Sequence, residues 1–302
     1  MVSLFQEIKF ENTNIIPALI SDYIKNEPAV SSLAKYPFDF SFFKNVIADK
    51  TNNRTERELL VKVLQSQYST IPTSQSVTDN IQLLLSNNTF TIVAAHQPCL
   101  FMGPLYNCYK IACTINVTNQ LKQQFPEYNF VPVFWMGSED HDVEELNHAY
   151  VNGKKIEWKN SGSGAVGRWQ TATLKPVIDE FKTDAFNSEI ITILEEGLKK
   201  YKTFGRFTQY FINGIFKEHG LVVIDQDDVA LKRKFNPIIK DEVLHSRAVE
   251  TLQKNIEFLE ANYKVQAKPR DINFFYLGEN YRERIVFNSS TQKFEINNTS
   301  VI

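Results

Sequence analysis

Cysteine is scarce in this chain: Cys99, Cys108 and Cys113, all within one short stretch, are the only three. The number is odd, no Cys-x-x-Cys pair occurs, and no distant partner exists, which argues against a disulfide framework or a thiolate zinc site. Long apolar runs are missing as well. No segment approaches the roughly 20 apolar residues a membrane-spanning helix needs, and Met1–Pro17 carries acidic residues in place of a signal peptide's apolar core. There is no excess of one charge: 33 Lys and Arg face 35 Asp and Glu, for a net charge of -2. Nucleic-acid and membrane-surface binders usually carry a basic excess, so neither partner is expected. Internal repeats, low-complexity tracts, a P-loop Lys-Ser/Thr and a His-Glu-x-x-His zinc helix are also absent. The expectation is a cytoplasmic protein with reduced thiols.

What is present is enough apolar matter for a sizeable core: 302 residues, 43% hydrophobic, with 23 phenylalanines. Two stretches organise it. Thr89–Ile115 is an apolar run ending in His96-Gln97-Pro98, followed by a helical pattern from Pro104 to about Gln124. Val131–Asp142 is a second run ending in Ser138-Glu139-Asp140-His141-Asp142. Apolar strands that spill polar residues at their carboxyl ends, with a helix between them, predict an α/β fold. They imply a right-handed crossover in a parallel sheet buried on both faces. A third such strand, Leu221–Asp225, ends in Asp225, Asp227 and Asp228.

Residues 1–75 read as a helical N-terminal region, with helices at Ile15–Lys25 and Arg54–Tyr68; Thr55 and Glu58 form a capping-box pattern at the start of the second. Residues 76–302 read as the sheet-bearing core, with insertions over about 144–220. Those insertions include a hairpin, Leu146–Val151 with Lys155–Lys159, turning at Asn152-Gly153. Helices are predicted at Val77–Ser86, Leu174–Phe186, Ser188–Lys200, Arg206–His219 and Val229–Asn262, the last broken near Pro237. Strands at Val265–Gln266, Asn273–Leu277 and Arg284–Phe287, and an edge hairpin at Gln292–Ile296, close the chain.

Four constellations carry possible chemistry. His96 and Gln97 end a strand just before a helix start, where a phosphate would be favoured, and Gly103 lets backbone approach a ligand. The alternative is a satisfied histidine in an ordinary loop. Ser138, Glu139, Asp140, His141 and Asp142 put carboxylates and an imidazole so close that they need solvent, a cation, a substrate amine or a proton-transfer task. A solvated acidic helix start is the alternative. Gly162, Gly164, Gly167 and Arg168 suggest a mobile lid or a plain flexible loop. Arg270, in Lys268-Pro269-Arg270-Asp271, has the guanidinium for clamping a carboxylate or phosphate, or it pairs with a neighbouring acid.

Taken together, HQPCLFMGPLYNCYK, VPVFWMGSEDHDVEELNHAYV, GAVGRW, VVIDQDD and KPRDINFFYLGENYRERIV resemble the bacillithiol synthase family in that family's order. Members are cysteine ligases thought to join cysteine to glucosaminyl-malate in the last step of bacillithiol biosynthesis. The resemblance implies a Rossmann-like core similar to nucleotidylyltransferases, with His96 and Gln97 where those relatives use a histidine motif on nucleotide phosphates. It also implies adenine nucleotide binding, with ATP (or ADP) and Mg²⁺ as the cofactor set and no dedicated metal site. Dimerisation would run through a carboxy-terminal coiled coil. The family pattern continues beyond Ile302, through a second core segment and the coiled coil, so this chain is expected to be an amino-terminal portion that is itself monomeric. On this reading His96, Asp140, His141 and Asp142 are catalytic, while Gln97, Gly103, Ser138, Glu139, Arg168, Asp225 and Arg270 bind substrate or nucleotide. A nucleotidyltransferase and a non-catalytic nucleotide or thiol binder are the alternatives.

Overall fold

The computed structural model describes residues 8, 9, 12, 13, 15–53, 56–159, 162–184 and 188–297. Thr55 of the capping-box pattern, Arg54 at the predicted helix start, Ser161 of the glycine-rich loop and Phe186 at a predicted helix end lie outside the described residues. The chain forms two compact units, Met1–Arg54 with Leu244–Asn273, and Thr55–Val243 with Phe274–Ile302.

The first unit contains the helices Ala18–Ile24, Phe43–Thr51 and Arg247–Asn262. Val30, Ile47 and Ile272 are buried, and Tyr263 donates to Asp22 at 2.7 Å. The helix expected over Val229–Asn262 is instead three: Val229–Lys234, Asn236–His245 and Arg247–Asn262. Pro237 occupies the second position of the middle one, where its missing N–H costs nothing. The sharper interruption is Ser246, in the left-handed region at φ 50° and ψ 43°. Val265–Gln266, expected as a strand, has no regular structure.

The second unit carries the sheets. Strands β1 (Thr89–His96) and β2 (Asn129–Met136) enclose the helix Tyr106–Gln124 in sequence. A hairpin, β3 (His148–Val151) and β4 (Lys154–Glu157), turns at Asn152 and Gly153, with φ of 51° and 81°. Both values fit the turn that Asn-Gly favours. Strand β5 is Val222–Asp225, and β6 (Phe275–Leu277), β7 (Arg282–Asn288) and β8 (Lys293–Ile296) form an antiparallel sheet. The central sheet is parallel and three-stranded, in the order β1-β2-β5.

Helix Tyr106–Gln124 packs on β1 and β2, and helix Phe204–Phe216 on β5. Phe130–Phe134 of β2 is buried throughout, as an inner strand requires. β1 differs from expectation. Thr91, Val93 and Ala95 are exposed and Val93 is 52% accessible, because β1 is an edge strand with one uncovered face.

β5 is also an edge strand, but a buried one. Its outward backbone groups would be left without partners, which is costly away from water. Side chains replace the missing strand. The Val223 N–H donates to the Tyr68 hydroxyl (2.8 Å) and Gln209 donates to the Val223 carbonyl (3.2 Å). Gln67 brackets Asp225, accepting from its N–H (2.9 Å) and donating to its carbonyl (3.0 Å). Helices Arg57–Tyr68 and Phe204–Phe216 thereby fix the strand that carries Asp225.

Candidate active site

Parallel register brings three strand ends into one row, since His96 pairs with Met136 and Met136 with Asp225. Adjacent strands lie about 4.7–4.9 Å apart, so polar residues following each strand crowd at a single carboxyl edge. The loop after β1 is strained. Phe101, Met102 and Gly103 all have positive φ, at 50°, 67° and 54°. Gly103 is required there by packing: a Cβ would stand 2.5 Å from the Cys99 Cβ. Gly103 also lines a cavity beside His96. Burial of Pro98, Cys99 and Leu100 pins the loop and leaves Gln97 partly exposed.

His96 is half-buried, and its hydrogen bonds define its tautomer. Nδ1 lies 3.1 Å from the Gln97 carbonyl, which can only accept, so Nδ1 carries the proton. Nε2 then accepts from the Tyr106 hydroxyl at 2.8 Å. Burial, with help from the Lys110 charge, pulls the imidazole pKa below its ordinary value, against the raising effect of the Gln97 carbonyl. In this state His96 has no free N–H to offer an anion.

The loop after β2 meets the first loop directly. The Gly137 N–H donates to the His96 carbonyl (2.8 Å), and the Gln97 amide donates to Asp140 Oδ2 (2.8 Å). Asp140 Oδ1 accepts from the His141 N–H at 2.9 Å, and Arg282 stands 3.9 Å away. Burial would raise the Asp140 pKa, but these hydrogen bonds and the guanidinium outweigh it and hold it below the usual carboxylate range. Arg282 also faces His141 Nδ1 at 3.2 Å and covers the Phe275 ring at 4.0 Å. Asp142 is exposed and its side chain caps nothing.

Deeper in the cleft, Ser138 is fully buried and donates to Asp225. Burial pushes the Asp225 carboxyl up, with the Ser138 bond opposing. Lys232 bridges Glu139 (2.5 Å) and Asp227 (2.7 Å), and Arg168 grips Asp227 through two bonds of 2.6 and 3.0 Å. Desolvation works against Asp227, yet Arg168 and Lys232 together keep it ionised below its ordinary pKa.

The described part of the glycine-rich loop, from Gly162, is docked against the loop after β2. Its Val166 and Gly167 N–H groups donate to the Asp140 and Ser138 carbonyls at 2.6 and 2.8 Å. Ala165, Val166 and Trp169 are buried, and a Cβ on Gly167 would meet the Ser138 Cβ at 2.6 Å. Arg270 belongs to the other unit, where reciprocal bonds with Asn273 of 3.0 and 2.7 Å form its turn.

The sheet therefore brings together His96, Gln97 and Asp140; Ser138 and Asp225; and Arg168 with the acids after β5. Tyr106 and Lys232 escaped sequence reading. Arg282, within the KPRDINFFYLGENYRERIV stretch, is the guanidinium beside Asp140. Tyr106 is one more aromatic in an aromatic-rich chain, and only the true start of its helix sets it beside His96. Among the described residues, no group of three or more His, Cys, Asp or Glu is arranged to hold a metal ion. No helix among them is long and apolar enough to cross a membrane.

With this geometry in hand, comparison with known proteins is direct. The family described as "Bacillithiol biosynthesis BshC, N-terminal Rossmann-like domain" matches residues 4–302. Relatives carrying the name "Putative cysteine ligase BshC" include those of Flavobacterium psychrophilum, 38% identical over 301 residues, and Flavobacterium johnsoniae, 39% identical over 300. Each alignment covers 97% of this chain and 56% of the relative. The Christiangramia forsetii relative is 39% identical over 293 residues, covering 92% of this chain and 54% of its own length. The chain thus spans about half the length of the curated relatives it matches. Its three-stranded parallel sheet with flanking helices is the α/β architecture of that description, and the chain belongs to the BshC family of bacillithiol biosynthesis, in the part described as the N-terminal Rossmann-like domain.

Proposed function

We propose that this chain carries the catalytic core of an acid–amine ligase that joins cysteine to an amino-sugar acceptor, glucosaminyl-malate, in the final step of bacillithiol biosynthesis. The observation that carries the reading is the 2.8 Å bond from Gln97 to Asp140, which fuses the loops after β1 and β2 into one polar centre at the carboxyl edge of a parallel sheet. Such edges are where open α/β sheets bind ligands and do chemistry. The relatives' printed name, cysteine ligase, supplies the substrate.

Amide formation from a free carboxylate is uphill in water, so the acid needs activation, and ATP is the proposed source. Arg168, Lys232 and Arg282 stand on the β2–β5 side, where they face the cleft acids. That side would take the nucleotide phosphates, with Mg²⁺ arriving alongside them. Asp140, low in pKa and held by Gln97, would orient groups electrostatically; a proton acceptor has to be sought elsewhere. In the intact protein a coiled-coil dimer is part of the same proposal.

Incubation with cysteine, glucosaminyl-malate and ATP-Mg²⁺, followed by mass spectrometry, tests it. The expected result is the amide mass, accompanied by AMP and pyrophosphate or by ADP and phosphate according to the route. Transfer of the nucleotidyl group to another acceptor without any amide would overturn the ligase reading.

A further inference from the structure

A cavity of about 520 Å³ opens beside His96, between the start of helix Tyr106–Gln124 and strand β3. His96, Cys99, Tyr106, Glu145, His148 and Tyr150 are in its lining. Its size suits a small-molecule site, for which pockets run about 300–1,000 Å³.

Three features define what it would hold. The first is charge. Glu145 is the one carboxylate among the described residues lining the cavity, and no Lys or Arg lines it. Glu145 also has no hydrogen bond or ion pair among the described residues, whereas Glu139, Asp140 and Asp227 each have a cation within 4 Å. The second is His148, whose buried Nδ1 has no partner among the described residues. The third is His96. Its Nε2 lone pair is turned toward Tyr106, a half-exposed side chain on the cavity wall. An unpaired carboxylate with ring nitrogens and a phenol repels phosphate and attracts a cation that can donate hydrogen bonds.

We propose that this cavity binds a primary ammonium group against Glu145, and that His96 Nε2 takes up a proton from it through the Tyr106 hydroxyl. The step balances. One N–H bond of the ammonium breaks, its electron pair stays on the amine nitrogen, and its proton passes to the Tyr106 oxygen as the Tyr106 O–H proton forms the Nε2–H bond. The imidazolium retains Nδ1–H on the Gln97 carbonyl, and its new Nε2–H donates to the Tyr106 oxygen, which has regained a proton from the ammonium. The freed amine is then a nucleophile. What it attacks rests on the ligase reading; its binding and deprotonation do not.

The ammonium could belong to an amino acid or to an amino sugar, so both are probed. Glucosamine and cysteine are titrated separately into the ¹⁵N-labelled chain, with N-acetylglucosamine and N-acetylcysteine as counterparts that lack the ammonium group. One amine is expected to shift the Tyr106 and Ala149 amides and to bind at least about tenfold more tightly than its N-acetyl form, a difference of about 1.4 kcal/mol. Glu145→Gln should erase that preference. Equal binding of both forms, or a preference that survives Glu145→Gln, overturns the proposal, and the amine that binds identifies the source. In the ¹⁵N-labelled chain the neutral His96 ring should show a protonated Nδ1 and an unprotonated Nε2; the reverse pattern contradicts the assigned tautomer. The two readings fail separately. Selective amine binding without amide product sustains the cavity and sinks the ligase. Amide product with an unaltered amine KM in Glu145→Gln sinks the cavity and sustains the ligase.

Discussion

Replacing Tyr68 by Phe removes one oxygen from a buried site and should cost the fold more than an ordinary surface change. The hydroxyl accepts the Val223 N–H at 2.8 Å, Tyr68 is 8% accessible and Val223 is fully buried. No backbone neighbour can replace it, because β5 is an edge of its sheet and Val223 faces away from β2. Leaving a buried N–H unsatisfied costs about 1–3 kcal/mol. For a unit of this size each kcal/mol is worth about 2–4 °C in Tm, so a fall of about 2–12 °C is expected. Denaturant unfolding should move the midpoint with unchanged slope. Hydrogen exchange should accelerate at the Val223 amide, while Val222 and Ile224, which face β2, stay protected. A Tm shift below 1 °C with unchanged exchange at Val223 would refute the claim that side chains stand in for a missing strand.

Further outcomes follow from the site. Asp227 has a folded-state pKa held below its unfolded value by Arg168 and Lys232, so its stabilisation is complete above the unfolded pKa, about 3.9. It is lost as pH falls through the folded value; Asp227→Asn should therefore flatten the acid limb of a stability–pH curve below about pH 4, and an identical limb would count against the pairing. Gly103→Ala should lower stability by about 1–3 kcal/mol, since φ is +54° and the Cβ meets Cys99; Tm within a degree of wild type would refute this. Burial pushes the Cys99 thiol up to about 12, so iodoacetamide at pH 8 should label exposed Cys113 well before Cys99. Peptide mass spectrometry reads the order, and early labelling of Cys99 would contradict it.

The parallel core was legible because β1, β2 and β5 each read as an apolar run ending abruptly in polar residues, and Asn152-Gly153 announced its hairpin. Layering was not. An apolar run does not say how many faces are covered, and Val93 sits on an edge strand open on one side. Nor does a glycine cluster distinguish motion from close packing; Gly167 is small because Ser138 lies against it. The wider site was hidden for a topological reason. Arg168, Asp227, Lys232 and Glu139 come from three separate stretches, and Arg282 reaches Asp140 from more distant sequence still. Periodicity reports local structure and leaves such meetings unspecified.

That the loops after β1 and β2 act as one centre is tested most directly by a double-mutant cycle on Gln97→Ala and Asp140→Asn, read as the rate of amide formation from cysteine, glucosaminyl-malate and ATP-Mg²⁺. Groups bonded at 2.8 Å should couple, with an interaction energy of about 0.5–3 kcal/mol and Tm values near wild type. Independent effects, adding to within about 0.3 kcal/mol, would show that the two loops touch without working together.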